Sequence, residues 1–328
     1  MTAPVVSVIT ATRNRPALLR QALLSIAQQT YADFEVIVVD DGSSQETRDQ
    51  YTGLWSELDE RFTLHFRSPV DGPGSDPGTG RNFGARLARG QLIAFLDHDD
   101  FWERSDHLAV GVKALSDNEA DYYFTHVRLE PPYPTLLGWT PPEQLANCPR
   151  LAGEPVVQRV PIEDFVRVMQ HYHIHPSHSM VRRELFQSTG GFLQGLKTFD
   201  DVNLMFRIAD QARSILYRPA PAVAIRLPEG KSFSLASSPL QQTLAAHHAM
   251  MDARVRCQHP LIRRCARARV AWTLRELSQQ TAPISRKEAC LLAWEAVVTF
   301  PTLGALWFLT KTMAGATLGR PRIVESAA

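Results

Sequence analysis

Four short apolar runs decide what this 328-residue chain can fold into. Residues 5–9, 34–39, 62–66 and 91–96 are rich in Val, Ile, Leu and Phe. Runs of that length and composition read as strands buried on both faces. Helical patterns separate them. Pro16 fits the first turn of a helix on which Leu19, Ala22, Leu23 and Ile26 recur at helical spacing. Ser43 and Glu46 have capping-box spacing ahead of the next helix. Residues 81–89 read as a third helix, stopped by Gly90. The β-α-β-α-β-α-β alternation predicts an α/β fold, a mainly parallel sheet sandwiched by helices. Polar clusters follow the strands, at the carboxyl ends where open α/β sheets take their ligands.

The order loosens after residue 100. The patterns predict helices over 108–115, 162–170 and 198–211, and strands over 122–129, 179–182, 215–217 and 223–227. Residues 131–155 are rich in proline and read as a loop. From residue 240 onward the chain reads as wholly helical. Two domains are therefore expected: residues 1–235, α/β, and residues 236–328, an all-helical region suited to membrane-surface or oligomer contact.

Charge separates the same two parts. The whole chain carries 35 Lys+Arg against 34 Asp+Glu, a net +1 that gives no case for nucleic acid as a partner. Residues 1–240 hold 23 basic and 29 acidic side chains, and residues 241–328 hold 12 and 5. A 44% hydrophobic and 21% charged composition excludes a disordered or low-complexity chain. Cys148, Cys257, Cys265 and Cys290 form no CxxC pair and no disulfide framework, so a reducing, cytoplasmic location is expected. The first residues lack the basic and apolar regions of a signal peptide. Residues 289–310 are long enough to span a bilayer, but Glu295 and Pro301 argue for two short helices.

Three acidic clusters carry the chemistry. Asp97-His98-Asp99 follows a buried strand, and extended geometry would point both acids to one side. Two close carboxylates repel and favour a cation, and hard oxygen ligands suit Mg²⁺ or Mn²⁺. The plain alternative is a solvated acidic turn. Asp40-Asp41 ends another strand, where a carboxylate can meet a nucleobase or ribose or can simply cap the next helix. Asp200-Asp201 opens a helix, where acids also serve the dipole and the cap. A Gly/Pro segment, 71–80, precedes Arg81, whose guanidinium suits a phosphate. The segment matches neither a P-loop nor a strand–GxGxxG–helix, which disfavours a P-loop ATPase and a dinucleotide site.

In order along residues 4–230 the chain reads VSVITATRNRPALLRQALLSIAQQT, FEVIVVDDGS, GRNFGARLARGQLIAFLDHDDFW, HPSHSMVRRELFQSTGGF and TFDDVNLMFRI. This ordered set resembles the family-2 glycosyltransferases of the GT-A fold. The resemblance implies an inverting transfer of a sugar from a nucleotide-diphosphate sugar, UDP-type favoured, to a glycan or lipid-linked acceptor. It implies Mg²⁺ or Mn²⁺, and a place in cell-surface polysaccharide or glycoconjugate synthesis at the inner face of the membrane. Position by position, it places Thr10 and Thr12 in the base pocket and Asp40 at the base edge. Asp97 falls at the ribose, Asp99 on the metal, and Arg81 near the ribose and diphosphate. Asp201 falls at the catalytic base and Lys231 at a loop over the diphosphate.

Other features carry readings of their own. His171, His173, His175 and His178 alternate as zinc ligands can, without a supporting cysteine. The resemblance brings His175 nearest the sugar. Residues 253–275 carry seven arginines and no acid, a solvated helix face or a membrane-surface contact. Two rival functions share the acidic pattern: an inactive nucleotide-sugar-binding protein and a nucleotidyltransferase. Intact Asp40, Asp97, Asp99 and Asp201 count against the first, and TATRNR after the first strand fits the second poorly.

Overall fold

A computed structural model describes residues 3–67, 76–130, 143–171, 174–226 and 237–315. Contacts divide the chain into two units, Met1–Ser234 and Leu235–Ala328. The first unit runs β1 (Val6–Thr12), α1 (Pro16–Ala27), β2 (Phe34–Asp40), α2 (Gln45–Asp49), α3 (Tyr51–Trp55), β3 (Phe62–Phe66), α4 (Pro77–Leu87), β4 (Leu92–Phe95) and β5 (Phe101–Trp102). It continues α5 (His107–Asp117), β6 (Tyr122–Leu129), α6 (Glu143–Ala146), β7 (Gln158–Val160), α7 (Ile162–His171), β8 (Ser179–Arg182), α8 (Arg183–Thr189), α9 (Asp200–Gln211) and β9 (Ile215–Ile225).

The sheet order is β3-β2-β1-β4-β8-β6-β9-β5, with β7 also on β9. The β3-β2-β1-β4 half is parallel, and β8 joins it antiparallel. From β1 the chain first builds outward through β2 and β3, then returns to place β4 on the other side of β1. That reversal opens a crevice at the carboxyl ends of β1 and β4, the usual ligand site of such sheets. Val6, Val8, Val36, Val38, Leu92 and Ala94 sit in one core cluster with Leu19, Leu23 and Ile26 of α1.

Two local expectations are corrected. Residues 215–227 are not two short strands, because β9 runs unbroken through Pro219 and Pro221. Register shifts opposite His126 of β6 absorb the prolines. The third helix begins at Pro77, not at residue 81, because Asp76 caps it by accepting from Thr79 N (2.7 Å). Gly80 and Gly84 therefore lie inside α4. A Cβ on Gly84 would meet Ile9 Cγ2 at 2.6 Å and one on Gly80 would meet Ala11 at 3.1 Å. These glycines let α4 lie close on β1. The rest of the Gly/Pro segment, 71–75, falls outside the described residues.

His107 opens α5 wholly buried, its ring 4.8 Å from Trp102 and 6.3 Å from Tyr123. Burial, aided by the Arg218 charge, pushes its pKa down to about 3. A histidine whose folded pKa is depressed stabilises the protein fully only above its unfolded value, near 6.5, and that stability falls away as pH drops toward 3. A His107→Phe variant should remove about 2 kcal/mol of the stability lost between pH 7 and pH 5, at roughly 1.4 kcal/mol per unit below 6.5. Urea titrations at the two pH values check this. An equal loss in both proteins would remove His107 as a source of acid sensitivity.

The second unit comprises α10 (Pro239–Arg256), α11 (Pro260–Thr281), α12 (Arg286–Thr299) and α13 (Leu303–Ala314). The apolar stretch 289–310 is broken at Pro301 into α12 and α13. Ala293 and Val297 pack there on Ala305, Phe308 and Leu309. Among the described residues no helix is long and apolar enough to cross a membrane. None of the four cysteines is in a disulfide among the described residues, and three are buried.

Candidate active site

β4 ends at Phe95, and the chain turns at once. Asp100 N donates to Asp97 O (3.0 Å), so residues 97–100 form a turn rather than extended strand. This corrects the expected geometry of Asp97 and Asp99. The acid grouped with Asp97 is Asp100, and the third member is His175: one ligand atom from each lies within 4.8 Å of the others. His175 Nε2 is 3.4 Å from Asp97 and Nδ1 is 3.6 Å from Asp100. Asp99 stands half-exposed on the same turn, its backbone carbonyl 3.4 Å from Arg226 Nη1.

Asp100 is the member that the cluster notation DHDD shows but strand periodicity passes over. It is buried, and it accepts from Ser177 Oγ (2.6 Å) and from the Arg226 backbone N–H (3.2 Å). Burial and the charges of Asp99 and Asp97 hold its carboxyl well above the usual carboxylate range. Such a group gains from a nearby cation. Ser177 Oγ also accepts from Asp97 N (3.1 Å), so one hydroxyl braces both ends of the turn.

Arg81 sits one helical turn into α4, buried, and joins two acidic sites. Its Nε and Nη2 grip Asp97 (3.0 and 2.5 Å), and its Nη1 donates to Asp200 Oδ2 (3.2 Å). The guanidinium also lies 5.1 Å from the Phe192 ring centroid. Burial alone would weaken its charge, but Asp97, Asp200 and Asp201 outweigh that and hold Arg81 above its ordinary value. Asp97 is correspondingly low: burial opposes its charge, and Arg81 and His175 override it.

Asp200 and Asp201 open α9, and their environments differ. Asp200 is buried, and burial raises it to about 7, with Arg81 pulling down and Asp201 and Asp97 pushing up. Asp201 is half-exposed and accepts from Val202 N (2.6 Å). Phe199 before them takes φ +69°, a left-handed conformation, and provides no side-chain cap. Such a residue costs about 1 kcal/mol or more and persists where its surroundings require it. Gly78 permits the approach of Asp200: a Cβ there would lie 2.9 Å from Phe192 Cβ and 3.0 Å from Asp200 Oδ2.

The carboxyl ends of β1 and β2 are tied together. Asn14, at φ +52°, donates its N–H to Ser43 Oγ (2.9 Å) and accepts from Ser44 N (2.8 Å). Asp40 is fully buried under that tie. It accepts from Ser43 N (2.9 Å), Gly42 N (3.2 Å) and Tyr51 Oη (2.7 Å), with Arg48 at 3.3 Å. The carboxylate thus shapes the loop after β2, the turn-capping alternative for this position. Asp41 pairs instead with Arg67 (2.7 Å). Thr10 and Thr12 are buried on β1 beside these groups, and the Thr10 hydroxyl has no partner among the described residues.

The histidine run divides. His178 Nε2 accepts from His175 N (2.7 Å), so its proton is on Nδ1, 2.6 Å from Thr125 O. Both nitrogens of His178 are engaged with backbone, which leaves it no lone pair for zinc. His173 and Lys231 lie outside the described residues.

Comparisons with known proteins fit this arrangement. The description "Glycosyl transferase family 2" matches residues 7–190, from β1 through α8, and so stops short of Asp200 and Asp201. Over 175 residues, 53% of this chain and 54% of the relative, the sequence is 32% identical to the succinoglycan biosynthesis protein ExoW of Rhizobium meliloti. Over 96 residues, 29% of this chain and 22% of the relative, it is 44% identical to validoxylamine A glucosyltransferase of Streptomyces hygroscopicus subsp. jinggangensis. The chain thus spans about half or less of the length of these curated relatives. S. aureus TarS 1–349, solved with UDP-GlcNAc, superposes with a TM-score of 0.66 at 17% identity, covering 94% of this chain and 87% of that one. The mannosyltransferase PcManGT of Pyrobaculum calidifontis, solved with GDP-Man and Mn²⁺, gives 0.57 at 19%, covering 98% and 89%. At those identities the structures show a common fold, the GT-A fold. With a family match over more than half of its length on that fold, the chain belongs to glycosyltransferase family 2.

Proposed function

We propose that the chain transfers a sugar, with inversion, from a nucleotide-diphosphate sugar to an acceptor hydroxyl, in polysaccharide or glycoconjugate synthesis on the cytoplasmic side of a membrane. The observation that carries this is Arg81, buried between Asp97 and Asp200 at the carboxyl ends of the central strands. One guanidinium there links a donor-side acid to the acid pair that opens α9. UDP-GlcNAc in TarS, GDP-Man in PcManGT and the succinoglycan role of ExoW support the substrate class.

In this reading the base and ribose lie over β1 and β2, against Thr10, Thr12 and the loop held by Asp40, with Asp97 toward the ribose. Arg81 and Lys231 stabilise negative charge on the departing diphosphate. Asp201 takes the proton of the attacking hydroxyl, and its half-exposure leaves it open to an acceptor. His175 sits between the acidic turn and the sugar. Two carboxylates and an imidazole within 4.8 Å suit Mn²⁺ or Mg²⁺, with half-exposed Asp99 as a further oxygen donor on the turn. A bound ion would supply positive charge at the leaving diphosphate.

The test is a thermal-shift series with UDP-, GDP- and TDP-sugars, each with and without Mn²⁺, on wild type and Asp99→Ala. A ligand that binds the native state raises the melting temperature by mass action. Wild type should be stabilised by one nucleotide class, more so with Mn²⁺, and Asp99→Ala should lose the Mn²⁺-dependent part while melting normally alone. An unchanged Mn²⁺ response in Asp99→Ala would move the metal role to Asp100 and His175. No response to any nucleotide sugar would count against the donor class.

A further inference from the structure

α13 is apolar on two sides. Ala305, Phe308 and Leu309 pack on α12, while Leu303, Leu306 and Trp307 stand in solvent at 87%, 46% and 58% exposure. α12 repeats the pattern, with Leu291, Trp294 and Val298 exposed at spacings of three and four. A helix apolar all round is ordinarily buried or in lipid. Single exposed hydrophobes need no account, but two stripes carrying two tryptophans do.

We propose that α12 and α13 dock on an anionic bilayer surface, lying in the interface without crossing it. At 14 and 12 residues neither helix reaches the roughly 20 needed to span. Two observations select lipid over a second copy of the chain. The exposed aromatics among the described residues of the second unit are tryptophans (Trp272, Trp294, Trp307), whose apolar body and N–H suit the headgroup boundary. The surrounding charge is mainly basic, with Glu288 and Glu295 of α12 as the exposed acids beside it. Arg263, Arg264 and Arg267 are exposed on α11, and Arg267 donates to Thr299 O at the end of α12, close to Val298 in sequence. Lys311 holds its ammonium 4.0 Å from the Trp307 ring centroid, which puts a cation beside the exposed stripe. Residues 241–328 carry 12 basic against 5 acidic side chains. A two-fold pair through this region would bring cations toward their own copies, whereas anionic headgroups attract them.

This inference is independent of the donor-site reading, because its test needs no nucleotide sugar. The full chain is floated with vesicles of phosphatidylcholine plus phosphatidylglycerol, and with phosphatidylcholine alone, at low and high salt. Brominated-chain lipids report tryptophan insertion in the wild-type protein, independently of any variant. Expected results are flotation with the phosphatidylglycerol vesicles, release by high salt, bromine quenching, and at least a tenfold loss of binding in Trp294→Glu/Trp307→Glu with an unchanged circular dichroism spectrum. The proposal is overturned if wild type neither floats nor is quenched, or if the folded double variant floats as wild type does. Sedimentation showing a dimer that the double variant dissociates, without vesicle binding, would assign the face to self-association instead.

Discussion

An Asp201→Asn enzyme is expected to bind its nucleotide sugar as wild type does and to transfer the sugar about 10²–10⁴-fold more slowly, the usual effect of losing a general base. The amide keeps the size of the side chain and can still accept from Val202 N, so α9 should start in the same place. Single-turnover rates and thermal shifts with donor, measured side by side, separate the two effects. Asp200→Asn is the control. Asp200 is buried and paired with Arg81, so its loss should disturb the Arg81 geometry and donor binding as well as rate. If donor binding collapses in Asp201→Asn while Asp200→Asn keeps it, the two acids have exchanged roles.

The second large effect is on stability. Arg81→Met removes the guanidinium shared by Asp97 and Asp200, so buried Asp200 must take up a proton and Asp97 loses its bidentate partner. Breaking a buried ion pair from one side typically costs about 3–5 kcal/mol. The same substitution in an Asp200→Asn background should cost clearly less, because one of the stranded carboxylates is gone. Urea titrations of the four proteins close the cycle. Additive losses would mean that Arg81 and Asp200 do not share their energy, and the linkage between the two acidic sites would fail with them.

The parallel half of the sheet was legible because it rests on burial alone. Residues 5–9, 34–39 and 91–96 are mostly apolar on both faces, as the strands of a covered parallel sheet are. The proline-bearing strand was not legible, because Pro219 and Pro221 look like strand ends until the register shift in β6 is known. The start of α4 was hidden for a similar reason. Gly78 and Gly80 read as loop residues, yet their lack of Cβ answers to Phe192, Asp200 and Ala11, all remote in sequence. At the candidate site the acidic types and their order could be read, but their partners could not. The turn at residues 97–100 groups Asp100 with Asp97, and only the fold brings Ser177 and His175 to that turn. Asp40 shows the converse: its position was clear, while the bonds that occupy its oxygens come from Ser43 and Tyr51 in the loop and helix beyond it.

The tie between Asn14, Ser43, Ser44 and Asp40 has a thermodynamic consequence. The loops after β1 and β2 are fixed by their own hydrogen bonds, with Tyr51 closing the set from α3. A ligand that lodges against them orders little that was not already ordered, so association there carries a small conformational-entropy cost. The same rigidity removes the option of relaxing around a misfit. Discrimination at this wall must therefore be enthalpic: a group of the wrong outline leaves donors or acceptors unpaired, and its loss of affinity should change little with temperature-dependent loop motion.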